Sequence, residues 1–396
     1  MFPRGRAPFL LSQLLIFITL PVVLFGPIVG VLVDRWHKKR VMVICDLLRT
    51  LCALLIPVVF LTTANIYPVF TVVFFMFLLG LFFNTARSAI IPNLVTKSRI
   101  LTANSVINFV GRGATFLGMF LGGLIVDWKF WQQAIGIAGW TAAFIIDAIT
   151  FAVSAVMLSI MKVKIAERPK TVEHHLEPRG LFLMLRNGLL KMWYELKYAV
   201  TMIFEEKNLA FAMATILLII MAGSVIYVLV IPTIQQEMAW GTRGVGVLAG
   251  IGAIGLLFGA YLTGSWGHHF DLKILMLICF ILIGGALIIF PFLNHFLVFA
   301  IVCLGCGAAI SPVFIGQDTI IHHYADEFIR GRIFSLRDWA LNGTMALGAL
   351  IVGFLSTVTE KMYLFIIFGI FVASLAIVGW FILARGKNAT VSQNSI

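Results

Sequence analysis

From Phe9 to Val33 the chain runs for 25 residues without a charged side chain. An α-helix rises about 1.5 Å per residue, so about 20 apolar residues carry it across the hydrocarbon core of a bilayer. Comparable runs recur along the whole chain. The apolar spans are read as 9–33, 41–62, 68–91, 105–127 and 134–160, then 208–232, 244–266, 273–292, 296–321, 334–357 and 362–384. Lipid offers no hydrogen bonds to a bare backbone, so only helices and closed barrels can span it. These runs are unbroken and lack the roughly ten-residue alternation of barrel strands. The expected fold is an all-α polytopic membrane protein with eleven visible spans, five before a long polar segment and six after it.

Composition agrees. The chain is 61% apolar and 12% charged, with a mean hydropathy of +1.04, against about 45–50% and about 25% in ordinary soluble domains. Its net charge of +12 would suit a nucleic-acid partner, but the distribution opposes that reading. The bases gather in alternate short loops, as the rule that cytoplasmic loops are positive requires. The partner expected from this pattern is the lipid bilayer, with no nucleic acid. All five cysteines (Cys45, Cys52, Cys279, Cys303 and Cys306) fall inside apolar runs and are read as packing residues.

The segment 161–207 carries nine Lys and Arg residues and is therefore placed in the cytoplasm. Leu185, Leu189, Met192, Leu196 and Ile203 fall on one helical face, which suggests an amphipathic helix on the inner leaflet. With that loop inside, loops 34–40, 92–104, 267–273 and 322–333 and the tail 386–396 are also cytoplasmic. The opposite loops hold only Lys129, Arg243 and Lys361, with Trp128, Trp131, Trp240 and Tyr363 as an interfacial belt. Arg4 and Arg6 then lie on the wrong side. The expected setting is a bacterial cytoplasmic membrane, with bundles at 1–160 and 208–385.

The two halves echo one another. GVLVDRWHKKRVM in the first is matched by Gly264-Ser-Trp-Gly267-His-His-Phe-Asp271-Leu-Lys273 in the second. Pro92-Asn-Leu-Val-Thr-Lys97-Ser-Arg99 is matched by Ala325-Asp-Glu-Phe-Ile-Arg330-Gly-Arg332. Parallel repeats of this kind mark transporters built from two similar bundles. The second-half loop follows two spans and the first-half loop follows one. The repeat therefore predicts twelve spans, with the first missing through truncation or a start site lying upstream.

The loop between the first two visible spans, Gly30-Val-Leu-Val-Asp34-Arg35-Trp-His37-Lys38-Lys39-Arg40, resembles the signature loop of the major facilitator superfamily. FGPIVGVLVDRWHKKRVMVICDLLR, Ala103-Asn104, FIIDAITF and RGRIFSL together resemble its bacterial branch of macrolide-efflux and enterobactin-export permeases. The resemblance implies two helical bundles that alternate access to a central cavity. It also implies a conformational latch formed by Gly30, Asp34, Arg35, Lys38, Lys39 and Arg40, supported by Asp46 and Arg49. Gly26 and Gly30 are read as close-packing positions, and Asp34 as approaching a helix N-terminus near Ile333. Topology signalling alone would also account for the bases. Gly118, Gly122 and Gly123 resemble the antiporter motif GPxxGG, with Met119 in place of proline; small-residue helix packing is the alternative. The family's arginine one turn before Gly80 is absent, and Phe77 stands there.

Ionisable residues within membrane spans are costly and default to function. Asp46 and Arg49, three apart, share a helix face and read as an ion pair. Asp147 lies near the middle of its span, where a carboxylate suits proton coupling, with Arg112 as its candidate partner; a structural ion pair is the alternative. Asn84, Arg87, Gln317 and Asp318 lie on the spans that line the cavity in this family, as substrate contacts or as a gate. Phe74, Phe75, Met76 and Phe314 suit a bulky amphipathic ligand. Adjacent histidines (His174-His175, His268-His269, His322-His323) do not share a helix face, so no metal site is expected. With no P-loop, HExxH or GxSxG, neither ATPase nor hydrolase chemistry is expected, and no cofactor. The function expected is proton-driven export of an amphipathic small molecule by a monomer. Lysolipid or metabolite movement in the other direction, or a non-transporting scaffold, are the alternatives.

Overall fold

A computed structural model describes residues 7–96, 99–161, 194, 197–198, 200–325 and 327–393. Eleven long α-helices occur among these residues. They are α1 (Ala7–Arg35), α2 (Lys38–Thr63), α3 (Tyr67–Leu94), α4 (Ile100–Val126), α5 (Gly139–Ile160), α6 (Lys207–Val225), α7 (Gly241–Trp266), α8 (Leu272–Ile289), α9 (Phe296–Tyr324), α10 (Glu327–Val358) and α11 (Lys361–Gln393). Ten contain stretches long and apolar enough to cross a membrane; in α4 the apolar stretch described is the shorter Gly113–Val126. Most of the segment 161–207, with its expected amphipathic helix, lies outside the described residues, although 200–205 are helical.

Local chemistry explains where these helices start and stop. Glu206 caps α6 by accepting the Asn208 N–H at 3.2 Å, and Asp271 caps α8 by accepting the Lys273 N–H at 3.0 Å. Each relieves an N–H that the helix itself cannot pair. Between α2 and α3, Ala64 adopts φ 49° and Asn65 Oδ1 accepts the Tyr67 N–H at 3.1 Å. α5 begins at Gly139, later than the apolar run from 134 suggests. A separate π turn occupies Trp131–Ile135 and ends at Gly136, whose φ of 74° suits glycine. Gly139 itself abuts the backbone of Val126. Helices also run past their apolar cores: α10 starts at Glu327, and α11 continues to Gln393 through residues expected to form a tail. Apolar periodicity marks the part of a helix that meets lipid, and polar ends extend beyond it unless a breaker intervenes.

The chain forms two compact units. One comprises residues 17–118 and 124–200, the other 1–16, 119–123 and 201–396. In the first, Val29, Val33, Val41, Met42, Cys45, Ala86 and Ile90 form a buried core shared by α1, α2 and α3. α2 and α5 lie antiparallel. Phe60 meets Trp140 edge-to-face at 5.5 Å, Asp46 meets Ser154, and Lys39 Nζ donates to the Ser159 carbonyl at 2.7 Å. In the second unit, Phe290 packs edge-to-face on Phe299 and stacks on Phe365, each at 4.7 Å. α7 and α9 approach so closely that Gly255 and Gly259 abut the Leu304 and Ala308 carbonyls, and Gly307 abuts the Gly252 backbone. Small residues permit such crossings, and dispersion then holds helices that lipid does not drive together. Beyond α6 the helix continues through π turns at Ile226–Val230 and Thr233–Glu237, flanking Pro232, which has no N–H to give the ladder.

Candidate functional site

The α2–α5 register builds a buried charge cluster in the first unit. Asp46 and Arg49, one turn apart on α2, pair at 3.5 Å between Oδ1 and Nη1. Ser154 Oγ donates to Asp46 Oδ2 at 2.6 Å. The Arg49 guanidinium lies 4.0 Å from the centroid of the Phe151 ring on α5 and 5.9 Å from that of Phe83 on α3. Gly80 on α3 completes the pocket. Arg49 lies against it, with Cζ and Nη2 each 3.9 Å from where a Cβ would stand, an ordinary van der Waals distance. Arg49 also acts electrostatically on Asp147, one turn from Phe151 on α5.

Sequence reasoning placed Asp147 opposite Arg112. The side chain of Arg112 lies outside the described residues; among those described, Arg49 acts electrostatically on Asp147. Once α2 and α5 are known to pack antiparallel, Asp46-x-x-Arg49 can face Asp147-x-x-x-Phe151-x-x-Ser154, because both follow helical spacing.

In the second unit Asp318 on α9 forms an ion pair with Arg337 on α10. Arg337 also reaches Asp338 at 3.4 Å and lies 5.0 Å from the Phe334 ring centroid. Asp318 borders a cavity of about 490 Å³ together with Ile315, Thr319, His322 and His323. His322 packs against Phe334 at 5.1 Å, so the wall of this cavity is braced from α10. Arg337 is a site residue that sequence reasoning missed; it lies just past RGRIFSL, inside the span read as 334–357. Gln317, expected as a substrate contact or a gate residue, is 1% exposed and donates to Thr215 Oγ1 at 3.3 Å, which ties α9 to α6. On α3, Asn84 is exposed and Arg87 half-buried.

The loop after α1 is short: α1 ends at Arg35 and α2 begins at Lys38, with His37 as its N-cap. The side chains of Asp34 and Arg35 lie outside the described residues. Trp36 stacks on Phe82 at 6.0 Å, Lys39 caps the end of α5, and Arg40 is exposed. No described atom lies within 4 Å of a Cβ built at Gly26 or Gly30. Ile333 is fully buried and sits two turns inside α10, which begins at Glu327.

The three glycines of the antiporter-like motif separate in role. No described atom lies within 4 Å of a Cβ built at Gly118 or Gly122. Gly123 meets α7: a Cβ there would stand 2.8 Å from the Thr242 carbonyl oxygen and 2.9 Å from Gly246 Cα. Gly246 in turn faces the Met119 and Phe120 carbonyls at 3.0 and 3.1 Å. Among the described residues no group of three or more His, Cys, Asp or Glu side chains is arranged to hold a metal.

The chain is similar to macrolide efflux protein A of Streptococcus pyogenes, with 21% identity over 91% of this chain and 84% of that protein. It is likewise similar to the putative bacilysin exporter BacE of Bacillus subtilis, with 24% identity over 91% and 84%. In fold it resembles a crystallised mutant of the nucleoside transporter NupG, with a TM-score of 0.69 and 13% identity over 95% of this chain and 90% of that one. The Major Facilitator Superfamily matches residues 5–204 and 211–395. With a helical membrane fold, paired charges inside its spans and this match along nearly its whole length, the chain belongs to the Major Facilitator Superfamily of transporters.

Proposed function

We propose that this transporter exports an amphipathic small molecule across the bacterial cytoplasmic membrane, driven by proton entry, with its C-terminus in the cytoplasm. The observation that carries the reading is Asp318, fixed by Arg337 at the wall of a cavity of about 490 Å³. A carboxylate inside a membrane span is costly, and here it borders space instead of being sealed into packing. Ile315 offers that space an apolar contact, while Thr319 and His322 offer hydrogen bonds. A few polar groups on an apolar wall orient a ligand whose bulk is hydrophobic. The exporters to which the chain is similar support the outward direction.

Alternating access then requires the two helical bundles to rock, with Lys38, Lys39 and Arg40 meeting anionic headgroups at the cytoplasmic face. The test is accumulation of macrolides and fluorescent amphiphiles in cells with and without the protein. Lower accumulation, abolished by a protonophore, is the expected result. Unchanged accumulation with the protein confirmed in the membrane would contradict the reading.

A further inference from the structure

Asp46 and Arg49 form an incomplete pair. Asp46 is 1% exposed, and Ser154 satisfies only its Oδ2. Oδ1 stands 3.5 Å from Arg49 Nη1 and accepts no hydrogen bond among the described residues, and the buried Nε of Arg49 donates none. A buried ion pair offsets its desolvation only when its geometry is good and its remaining hydrogen bonds are made. This one is loose, and a second anion is within its field.

Asp147, Phe151 and Ser154 fall at i, i+4 and i+7 along α5 and so line one face. The guanidinium rests over the Phe151 ring, in the middle of that stripe. Ser154 holds Asp46 to one side of it, and Asp147, whose charge Arg49 feels as it feels that of Asp46, follows to the other. The groups facing this site are known from each helix around it. α2 supplies Cys45, Asp46, Arg49 and Cys52, and α5 supplies Asp147 and Ser154. α3 contributes Gly80 and the uncharged Phe83.

We propose that Asp46, Arg49 and Asp147 form a single proton site, in which two carboxylates compete for one guanidinium and share one proton. Two carboxylates and one guanidinium carry one net negative charge. A proton passing from water to a carboxylate oxygen makes the cluster neutral, and Arg49 turns to the carboxylate that remains ionised. The two pairings draw the guanidinium toward opposite ends of the Phe151 ring. The proposal rests on the proton-driven reading above and assigns it a location.

Infrared difference spectroscopy between high and low pH, on the full-length protein in lipid, tests this without any substrate. Wild type is expected to show a carboxylic-acid carbonyl band that is lost in Asp46→Asn and in Asp147→Asn alike. Either variant leaves one carboxylate for one guanidinium, which needs no proton. Arg49→Gln is expected to enlarge the band, because both carboxylates then take protons. A band lost in only one of the two aspartate variants, or kept in both, would overturn the shared site. Where Asp46→Asn does not fold, Ser154→Ala serves instead: it frees Asp46, and the band must shift. An unshifted band overturns sharing. Export is scored separately. A shared band in a protein that exports nothing under a proton gradient would sink the transport reading, whereas proton-driven export with a band belonging to one aspartate would sink this proposal alone.

Discussion

Arg49 lies against Gly80: a β-carbon built on that glycine would stand 3.9 Å from both Cζ and Nη2 of the guanidinium. Relatives in the superfamily are expected to carry an arginine one turn before the glycine on this helix, and Phe77 occupies that position here. A guanidinium nevertheless reaches the glycine, from α2 instead of α3.

The first prediction follows from that contact. Gly80→Ala adds a methyl at ordinary van der Waals distance and should leave stability and export unchanged. Gly80→Leu needs the volume that Arg49 fills, and overpacking of this kind costs about 1–3 kcal/mol. Thermal melting of the purified variants, with export measured in parallel, checks both. Equal losses for alanine and leucine would contradict the contact.

Arg49→Gln leaves Asp46 buried without its counter-ion, and breaking a buried pair from one side costs about 3–5 kcal/mol. The loss should be greatest at neutral pH and partly recovered at low pH, since a protonated Asp46 needs no cation. Melting curves across pH read this directly. Arg49→Lys keeps the charge but loses the planar stacking on Phe151, so an intermediate loss is expected.

The glycines of α4 give a third prediction. At Gly123 an added methyl meets backbone atoms of Thr242 and Gly246 at 2.8 and 2.9 Å, which cannot rotate away. Gly123→Ala should therefore lower the melting temperature and export, at an overpacking cost of about 1–3 kcal/mol. Gly118→Ala and Gly122→Ala meet nothing within 4 Å and should be neutral. Loss of export at Gly122 with unchanged stability would instead favour a motif role beyond packing.

Gln317 and Asp318 should separate cleanly. Gln317→Ala removes the hydrogen bond to Thr215 and should cost about 1 kcal/mol of stability while leaving substrate selectivity intact. Asp318→Asn removes the charge that Arg337 holds at the cavity wall. It should reduce export by about tenfold, the equivalent of about 1.4 kcal/mol, with little effect on melting. Comparing the two variants by melting and by export distinguishes a bolt from a cavity residue.

The helical membrane fold was legible because a helix in lipid must be apolar for about 20 residues, and no soluble alternative fits such runs. The ends of the helices were less legible: α11 runs to Gln393 because nothing in its polar end breaks it. Asp46 and Arg49 could be paired from spacing alone, since local geometry fixes i and i+3 on one face. The partner of Asp147 could not. Which helix packs against which is a tertiary fact, and the α2–α5 register brings Arg49, 98 residues away in the chain, beside it. The partner of Gln317 was hidden for a related reason: a polar residue in a span faces either a cavity or a neighbouring helix, and composition does not distinguish the two.

The most direct measurement is the accumulation of macrolides and fluorescent amphiphiles in cells carrying wild type or Asp318→Asn at matched membrane abundance, with and without a protonophore. The account predicts lower accumulation with wild type, lost on adding the protonophore and lost in Asp318→Asn. Accumulation that is the same with wild type, with Asp318→Asn and with no transporter would contradict it.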